Sequence, residues 1–394
     1  MTESAPAPLA GIRVVELARI LAGPWIGQTL ADLGADVIKV ESPEGDETRR
    51  WGPPFVHGRE GEVLDAAYYH CCNRGKRSVV ADFREPRDLE LVTRLVDRSD
   101  ILIENFRTGT LAKFGLDYPT CRARNPWLIY CSVTGFGQDG PYAQRAGYDA
   151  MIQAMSGMMD ITGDPDGEPQ KIGVALADIL TGVYGVVAIE SALVARQRTG
   201  EGQHIDMALF DVMVGVLANQ ALNYFVSGIP PRRIGTAHPN IVPYQTFATC
   251  DGHLMIAVGS DSQFAKLCAI LGRPDLGGNP QYVTNALRVQ YRADLIAVLR
   301  QEIHAWDRDE LLARLAKAGV PAGPINTIAD VFADPQIMAR GMRVDFVRED
   351  IAGGRLSGVR TPIRFSASHL RLDSPAPRLG EHTAAVAREL GLNR

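Results

Sequence analysis

The chain has 394 residues, more than one ordinary hydrophobic core holds, so two or more domains are expected. Hydrophobic residues make up 46% and charged residues 22%, the balance of a globular enzyme. A formal net charge of −5 without a basic stripe argues against a nucleic-acid partner, and no run reaches the ~20 apolar residues of a membrane span.

Residues 1–8, MTESAPAP, lack the charged flank and apolar stretch of a secretory signal and read as a disordered lead-in. GIRVVEL at 11–17 is a buried strand by its short apolar run. GPWIGQTLADLGA follows with helical spacing and Gly34 as its stop. DVIKVE and RSVVADF are further strands, and EPRDLELVTRLVDRSD is an amphipathic helix with Pro86 in its first turn. DILIENF and WLIYCSVTGF complete a strand–helix alternation that predicts a parallel, doubly wound sheet. Ligands bind beyond the carboxyl ends of such strands, so the loops after residues 17, 41, 106 and 134 are the places to look.

The loop TGDPDGEPQKIG precedes a helix rich in small residues, ALADILTGVYGVVAIESALVARQRTG. QHIDMALFDVMVGVLANQALNYFV reads as a strand and one long apolar helix. VSGIPPRRIG is a break, after which GHLMIAVG is a strand, with helices near 261–271, 291–304 and 308–318. VPAGPIN is a second break, and the tail returns to short strands and a last helix, HTAAVAREL. The fold class is therefore α/β, an open Rossmann-like parallel sheet in a large domain with a smaller α+β domain. The expected boundaries are 1–225 and 226–322, with 323–394 returning to the large domain.

Cys71, Cys72, Cys121, Cys131, Cys250 and Cys268 form no CxxC and no zinc spacing. They predict reduced thiols in a cytoplasmic protein without a metal site. No GxGxxG follows the first strand, so a dinucleotide is not expected, and GxxxxGK[ST] and GxSxG are absent. Asp178 opens the small-residue helix, where a carboxylate meets unpaired N–H groups and the positive end of the dipole. On local chemistry alone the N-cap is its first reading and a catalytic group the second.

Several motifs then occur in order: LAGIRVVELARILAGPWIGQTLADLGADVIKVE, GDETRRWGP, NRGKRSVVADF, ILIENFRTGTLAKFGL, GYDAMIQAMSGMMDITG, GVALADILTGVYG, RTGEGQHIDMALFD and a closing LGEHT. Together they resemble the class III CoA transferases, the family of formyl-CoA transferase, carnitine CoA-transferase and the α-methylacyl-CoA racemases. The likeness runs from about residue 8 to the C-terminus. It implies that Asp178 is the nucleophile, forming an aspartyl–acyl anhydride and then an enzyme–CoA thioester, with the helix start keeping it ionised and supplying oxyanion donors. It places CoA against Ala22, Arg84, Asn105, Phe106, Arg107, Lys113 and Tyr148. It implies acyl-CoA and a small carboxylate as substrates, no tightly bound cofactor, and a homodimer of two ring-like chains threaded through one another. Each lone cation has a solvated-surface alternative, and Tyr148 has a core alternative. Arg49 is assigned first to pairing with neighbouring Asp46 or Glu47.

Departures narrow the reaction. Leu21 and Ser42 stand where formyl-CoA transferase has a glutamine and an arginine, and AVGSDSQF stands near the place of its glycine-run lid. The racemases carry a histidine base where this chain has Tyr148, and a phenol of pKa ~10 is a poor base at neutral pH. GTAHPNIVPYQTFATCDGHLMIAVG resembles members that use succinyl-CoA and small dicarboxylates; His238 within it either touches the acyl group or is structural. A racemase-like enzyme on the same fold, and a non-catalytic acyl-CoA-binding protein, are the other readings.

Overall fold

The computed structural model describes residues 6–392; residues 1–5 of the lead-in fall outside them. The chain forms two compact units. The first comprises residues 1–158, 172–221 and 335–394, the second 159–171 and 222–334. Chain order in the first unit begins β1 (Arg13–Glu16), α1 (Ala22–Asp32), β2 (Asp36–Glu41), β3 (Phe55–His57), β4 (Val63–Ala66), α2 (Ala67–His70), β5 (Arg77–Val80) and α3 (Pro86–Asp97). It continues β6 (Ile101–Glu104), α4 (Tyr118–Arg124), β7 (Ile129–Thr134), α5 (Asp149–Met155), α6 (Leu176–Thr199), β8 (His204–Ala208) and α7 (Leu209–Gly215).

Six strands make one parallel sheet in the order β5-β2-β1-β6-β7-β8. The order grows outward from β1 in one direction and then from β6 in the other. The switch point therefore lies between the carboxyl ends of β1 and β6, where an open α/β sheet leaves a crevice. Alternation along β1 explains the two covered faces. Val14 joins the core made with α1 and α6, while Val15 joins the one made with α3, α4 and the C-terminal residues Val386 and Leu390. Glycine sets the distance between α1 and α6: a Cβ on Gly185 would lie 2.4 Å from Ile26 Cδ1.

By length and composition α6 is apolar enough to cross a bilayer, which the sequence reading discounted. Here it packs against α1, α5 and α7 within the first unit. The tail covers the free edge of β5. His382 N donates to Ser78 O at 2.9 Å, Ser78 N to His382 Nδ1 at 3.3 Å, and Val80 N to Thr383 Oγ1 at 3.0 Å. An uncovered edge would present those same groups to other chains. Before that, the tail forms a hairpin of β12 (Arg343–Val347) and β13 (Arg355–Val359).

The second unit holds a three-stranded antiparallel sheet of β9 (Tyr244–Ala248), β10 (His253–Ala257) and β11 (Ala322–Pro324) in the order β11-β10-β9. The helices Asp261–Ile270, Arg292–His304 and Arg308–Ala318 bury Phe264, Leu299 and Leu315 with Phe247 and Ile256 of that sheet. VPAGPIN, read as a break, thus supplies an edge strand, a position where proline is tolerated. The single long helix expected after β8 is two: α7 ends at Gly215, and Ala218–Ser227 begins after Val216 and Leu217, with Ala218 at φ +46. The hairpin of β3 and β4 lies in a stretch the sequence reading passed over. Met159–Lys171 belongs with the second unit because Arg233 Nη1 donates to Asp160 O at 3.0 Å and Gly235 N to Gly163 O at 3.0 Å.

Candidate active site

A cleft of about 430 Å3 opens at the switch point, lined by the loops after β1 and β6, the start of α1, residues 143–148, and Asp178. The loop after β1 is held in an unusual shape. Ile20 has φ +71, a strained value for a β-branched residue. Its N–H donates to the Asp46 carboxylate at 3.2 Å, and Cys72 Sγ lies 3.6 Å from its carbonyl. The consequence is that α1 starts in the cleft without a side-chain cap. The amides of Leu21, Ala22 and Gly23 find no acceptor among the described residues. Open amides at a helix start are donors for a negative oxygen.

Asp178 is the one carboxylate among the cleft's lining residues, which include no lysine, histidine or cysteine. It lies in the first turn of α6, whose cap position is Ala175, so Asp178 is not the cap. That task falls to Asp149 on α5. Its Oδ1 accepts from Ala177 N at 2.7 Å and from Asp178 N at 3.4 Å. Leu176 N donates to Val174 O at 2.9 Å and Ile179 N to Ala175 O at 3.1 Å. The first amides of α6 are therefore occupied, and they give Asp178 neither the ionising donors nor the oxyanion site the sequence reading assigned to them. Burial, with the Asp149 charge second, instead pushes the Asp178 carboxyl up to about 7.

The structure gathers Ala22, Asn105, Phe106, Arg107, Tyr148 and Asp178 in this one cleft. The Asn105 side chain is spent within the protein: Oδ1 accepts from Arg19 N at 2.9 Å and Nδ2 donates to Arg19 O at 2.7 Å. It stitches the β1 loop to the β6 loop. The Phe106 N–H is likewise taken, by Glu104 Oε2 at 2.8 Å. Arg107 is exposed and has no ion pair among the described residues. Tyr148 is 63% exposed, so it is no core aromatic. Its loop is pinned where Gly147 meets Gly135; a Cβ on Gly135 would lie 2.6 Å from Gly147 Cα.

Arg84 borders a second cleft of about 310 Å3, which shares Arg19 and Phe106 with the first and is floored by Phe83 and Phe114. Its guanidinium pairs with Asp82 at 2.6 Å and is mostly exposed. Lys113 is exposed on the turn Leu111–Phe114 and lines neither cleft. His238 lies in the second unit, where its Nδ1 accepts from Asn240 N at 3.0 Å and its ring meets Tyr244 at 5.2 Å. Arg49 does form ion pairs, but not with its sequence neighbours. It reaches Glu41 at 2.8 Å and Asp65 at 2.7 Å and lies over the Tyr69 ring at 3.7 Å.

The sequence reading missed Asp149 and a buried ion network under the β1 loop. Glu16 lies 3.1 Å from Lys39 Nζ and 2.8 Å from Lys76 Nζ, and Lys39 lies 3.0 Å from Asp46. Lys39 also donates to Ala18 O at 2.9 Å. Burial pulls Lys39 toward neutrality, but Glu16, Asp46 and Glu41 outweigh it and raise its pKa. Gly27 makes room, since a Cβ there would lie 1.7 Å from Glu16 Oε2. The available signal was charge in strands that are otherwise apolar: Glu16 at the end of β1, and Lys39 within and Glu41 at the end of β2.

Comparison with known proteins agrees with this architecture. CoA-transferase family III matches residues 9–383. A succinate–glutarate CoA-transferase of Agrobacterium fabrum is 58% identical over 97% of this chain and 96% of its own length. A human succinyl-CoA:glutarate CoA-transferase is 40% identical over 97% of this chain and 86% of its own. The crystal structure of a CaiB/BaiF family protein from Brucella suis, 62% identical, superposes with a TM-score of 0.87 over 98% of this chain and all of that one. The chain belongs to CoA-transferase family III, and it is an enzyme, a class III CoA-transferase.

Proposed function

We propose that this enzyme moves CoA from succinyl-CoA to a C4–C6 dicarboxylate such as glutarate, with Asp178 as the covalent carrier. The observation that carries the reading is Asp178 itself, the cleft's only carboxylate, beside open α1 amides and the cations Arg107 and Arg145. The substrate class rests on full-length relatives that bear the names of succinyl-CoA:glutarate and succinyl-CoA:mesaconate CoA-transferases.

The Asp178 carboxylate attacks the thioester carbonyl, and the C–S bond breaks to give a mixed anhydride and CoA thiolate. The thiolate attacks the aspartyl carbonyl, releasing succinate and leaving CoA on Asp178. The acceptor carboxylate attacks that thioester and expels the thiolate, which then takes the new acyl group and frees Asp178. Each of the four tetrahedral intermediates needs donors, and the amides of Leu21, Ala22 and Gly23 fit that task. Arg107 suits the CoA phosphates, and the aromatic second cleft with Arg84 suits the nucleotide end. The unpaired cysteines fit a reducing, cytoplasmic setting. The threaded homodimer remains part of this reading.

Only ionised Asp178 attacks. Because its pKa is raised, the carboxyl holds its proton below about 7. The rate of succinate release from succinyl-CoA in a single turnover is thus expected to climb with pH and level off above about 7. A rate already level at pH 5 would contradict the buried environment described for Asp178.

The substrate test pairs succinyl-CoA, acetyl-CoA and formyl-CoA with succinate, itaconate, mesaconate, glutarate, oxalate and carnitine, scored by the mass of the new thioester. Succinyl-CoA with a C4–C6 dicarboxylate is expected to dominate. One methylene changes pocket discrimination by only ~1–3 kcal/mol, so neighbouring chain lengths should react measurably. A clear preference for formyl-CoA with oxalate, or for carnitine, would overturn the substrate assignment and leave the Asp178 chemistry standing.

A further inference from the structure

We infer that Gln153 is a positioning residue for the nucleophile, acting through Asp149. The inference rests on Asp178 as the covalent carrier.

Gln153 lies one turn after Asp149 on α5 and is fully buried. A buried primary amide must find both donors and acceptors, and Gln153 finds them in the segments around Asp178. Its Nε2 donates to Asp149 Oδ2 at 2.7 Å and approaches Val174 O at 3.5 Å. Its Oε1 accepts from Ile172 N at 3.0 Å. Asp149 turns its other oxygen to Ala177 N and Asp178 N. One amide thus fixes the chain entering α6 at Ile172 and Val174, and orients the carboxylate that holds the start of α6.

The partners also define which way the amide faces. The oxygen must meet the Ile172 N–H, and the nitrogen must meet the Asp149 carboxylate. No apolar or acidic side chain reproduces both contacts. Networks of this kind are strongly coupled, so losing one member loosens the others. The groups that act on Asp178 or share its cleft are Asp149 from α5, Tyr68 from α2, whose hydroxyl is pushed up first by burial and then by Asp178, and Arg107, Arg145 and Tyr148 from the cleft loops. Asp149 alone among them is tied to the backbone of Asp178.

A shift of the nucleophile by about 1 Å costs on the order of 100-fold in rate without changing how the rest of the substrate binds. Gln153→Met, at similar volume, is therefore expected to slow the single-turnover release of succinate from succinyl-CoA by about 10- to 100-fold. KM for acyl-CoA is expected to stay within about twofold. Gln153 and Asp149 act as one unit, so the double variant with Asp149→Ala should be no more than about twofold slower than Asp149→Ala alone. A purely structural glutamine would lower the melting temperature while the release rate of the folded fraction stayed normal. That outcome, a loss carried by KM, or two effects that multiply would each overturn the inference. If Gln153→Met does not fold, Gln153→Glu serves: it keeps an acceptor for Ile172 and turns a like charge toward Asp149, with the same expected loss. Asp178→Ala in the same assay separates the two ideas. If it releases succinate at the normal rate, the nucleophile reading fails; if it is inert while Gln153→Met is normal, only the positioning role fails.

Discussion

Alanine at Asp178 is expected to lower CoA exchange by about 10,000-fold or more, the scale on which enzymes lose activity with a covalent nucleophile. The reason is local. The cleft lining offers no second carboxylate, and no cysteine, lysine or histidine to take over the attack. Asp178 is partly buried and makes no ion pair among the described residues, so truncation leaves no stranded partner and the fold should survive. Binding of CoA should survive with it. Asp178→Asn should be nearly as inactive, because an amide cannot form the anhydride. In the native enzyme, acyl-CoA with hydroxylamine should convert Asp178 to its hydroxamate, found by peptide mass as an added NH. An alanine variant that turns over within tenfold of the native enzyme would end the covalent mechanism.

The second large effect is on stability. Glu16→Ala is expected to cost about 3–5 kcal/mol, because it strands a buried charge. Lys76 is completely buried, and Glu16 is its counter-charge at 2.8 Å. Without it, Lys76 Nζ keeps only Pro24 O and Asn73 Oδ1, both at 2.8 Å. Lys39 is better placed, retaining Asp46 and Ala18 O. Burial already lowers the Lys76 pKa, with Glu16 opposing it; removing Glu16 lowers it further. The folded variant then releases the Lys76 proton at a lower pH than the native fold does, so its deficit should shrink as pH rises from the variant's Lys76 pKa to the native one, itself below the unfolded lysine value of about 10.4. Urea midpoints at two pH values measure both effects. Glu90→Ala, which breaks the exposed pair with Arg94, is the control, expected to cost under about 1 kcal/mol. A Glu16 variant as stable as that control would show the network to be dispensable.

How much of this was legible depends on the range over which each feature acts. The parallel sheet was, because β1, β2, β6 and β7 are compact apolar runs, each followed by a loop or an amphipathic helix. The place of Asp178 at a helix start was legible too. What surrounds it was not. Asp149 caps α6 from 28 positions away, so no local N-cap pattern marks it. Asn105 lines the cleft as expected of a ligand residue, but its tie to Arg19, 86 positions earlier, was not legible. Arg49 looked for partners among its neighbours and found Asp65 across a hairpin that the sequence did not announce. β11 was hidden by its own prolines, which mark a break in a central strand and are harmless on an edge. Register, capping and charge pairing between distant segments are decided by the assembled sheet, and one sequence carries only their endpoints.

The tail laid along β5 ties the fold to the direction of synthesis. Its contact with Ser78 comes from a residue made 304 positions later. At about 5–20 residues per second, the ribosome needs roughly 15–60 s to cover that distance. Throughout that interval the first strands can pair while their outer edge stays open, at the stage when unpaired edges are most prone to wrong partners. The sheet that forms the switch-point crevice is thus begun by the first eighty residues and sealed by the last twenty. A nascent chain stalled after residue 178 and before the tail carries Asp178 before it carries the piece that closes its scaffold.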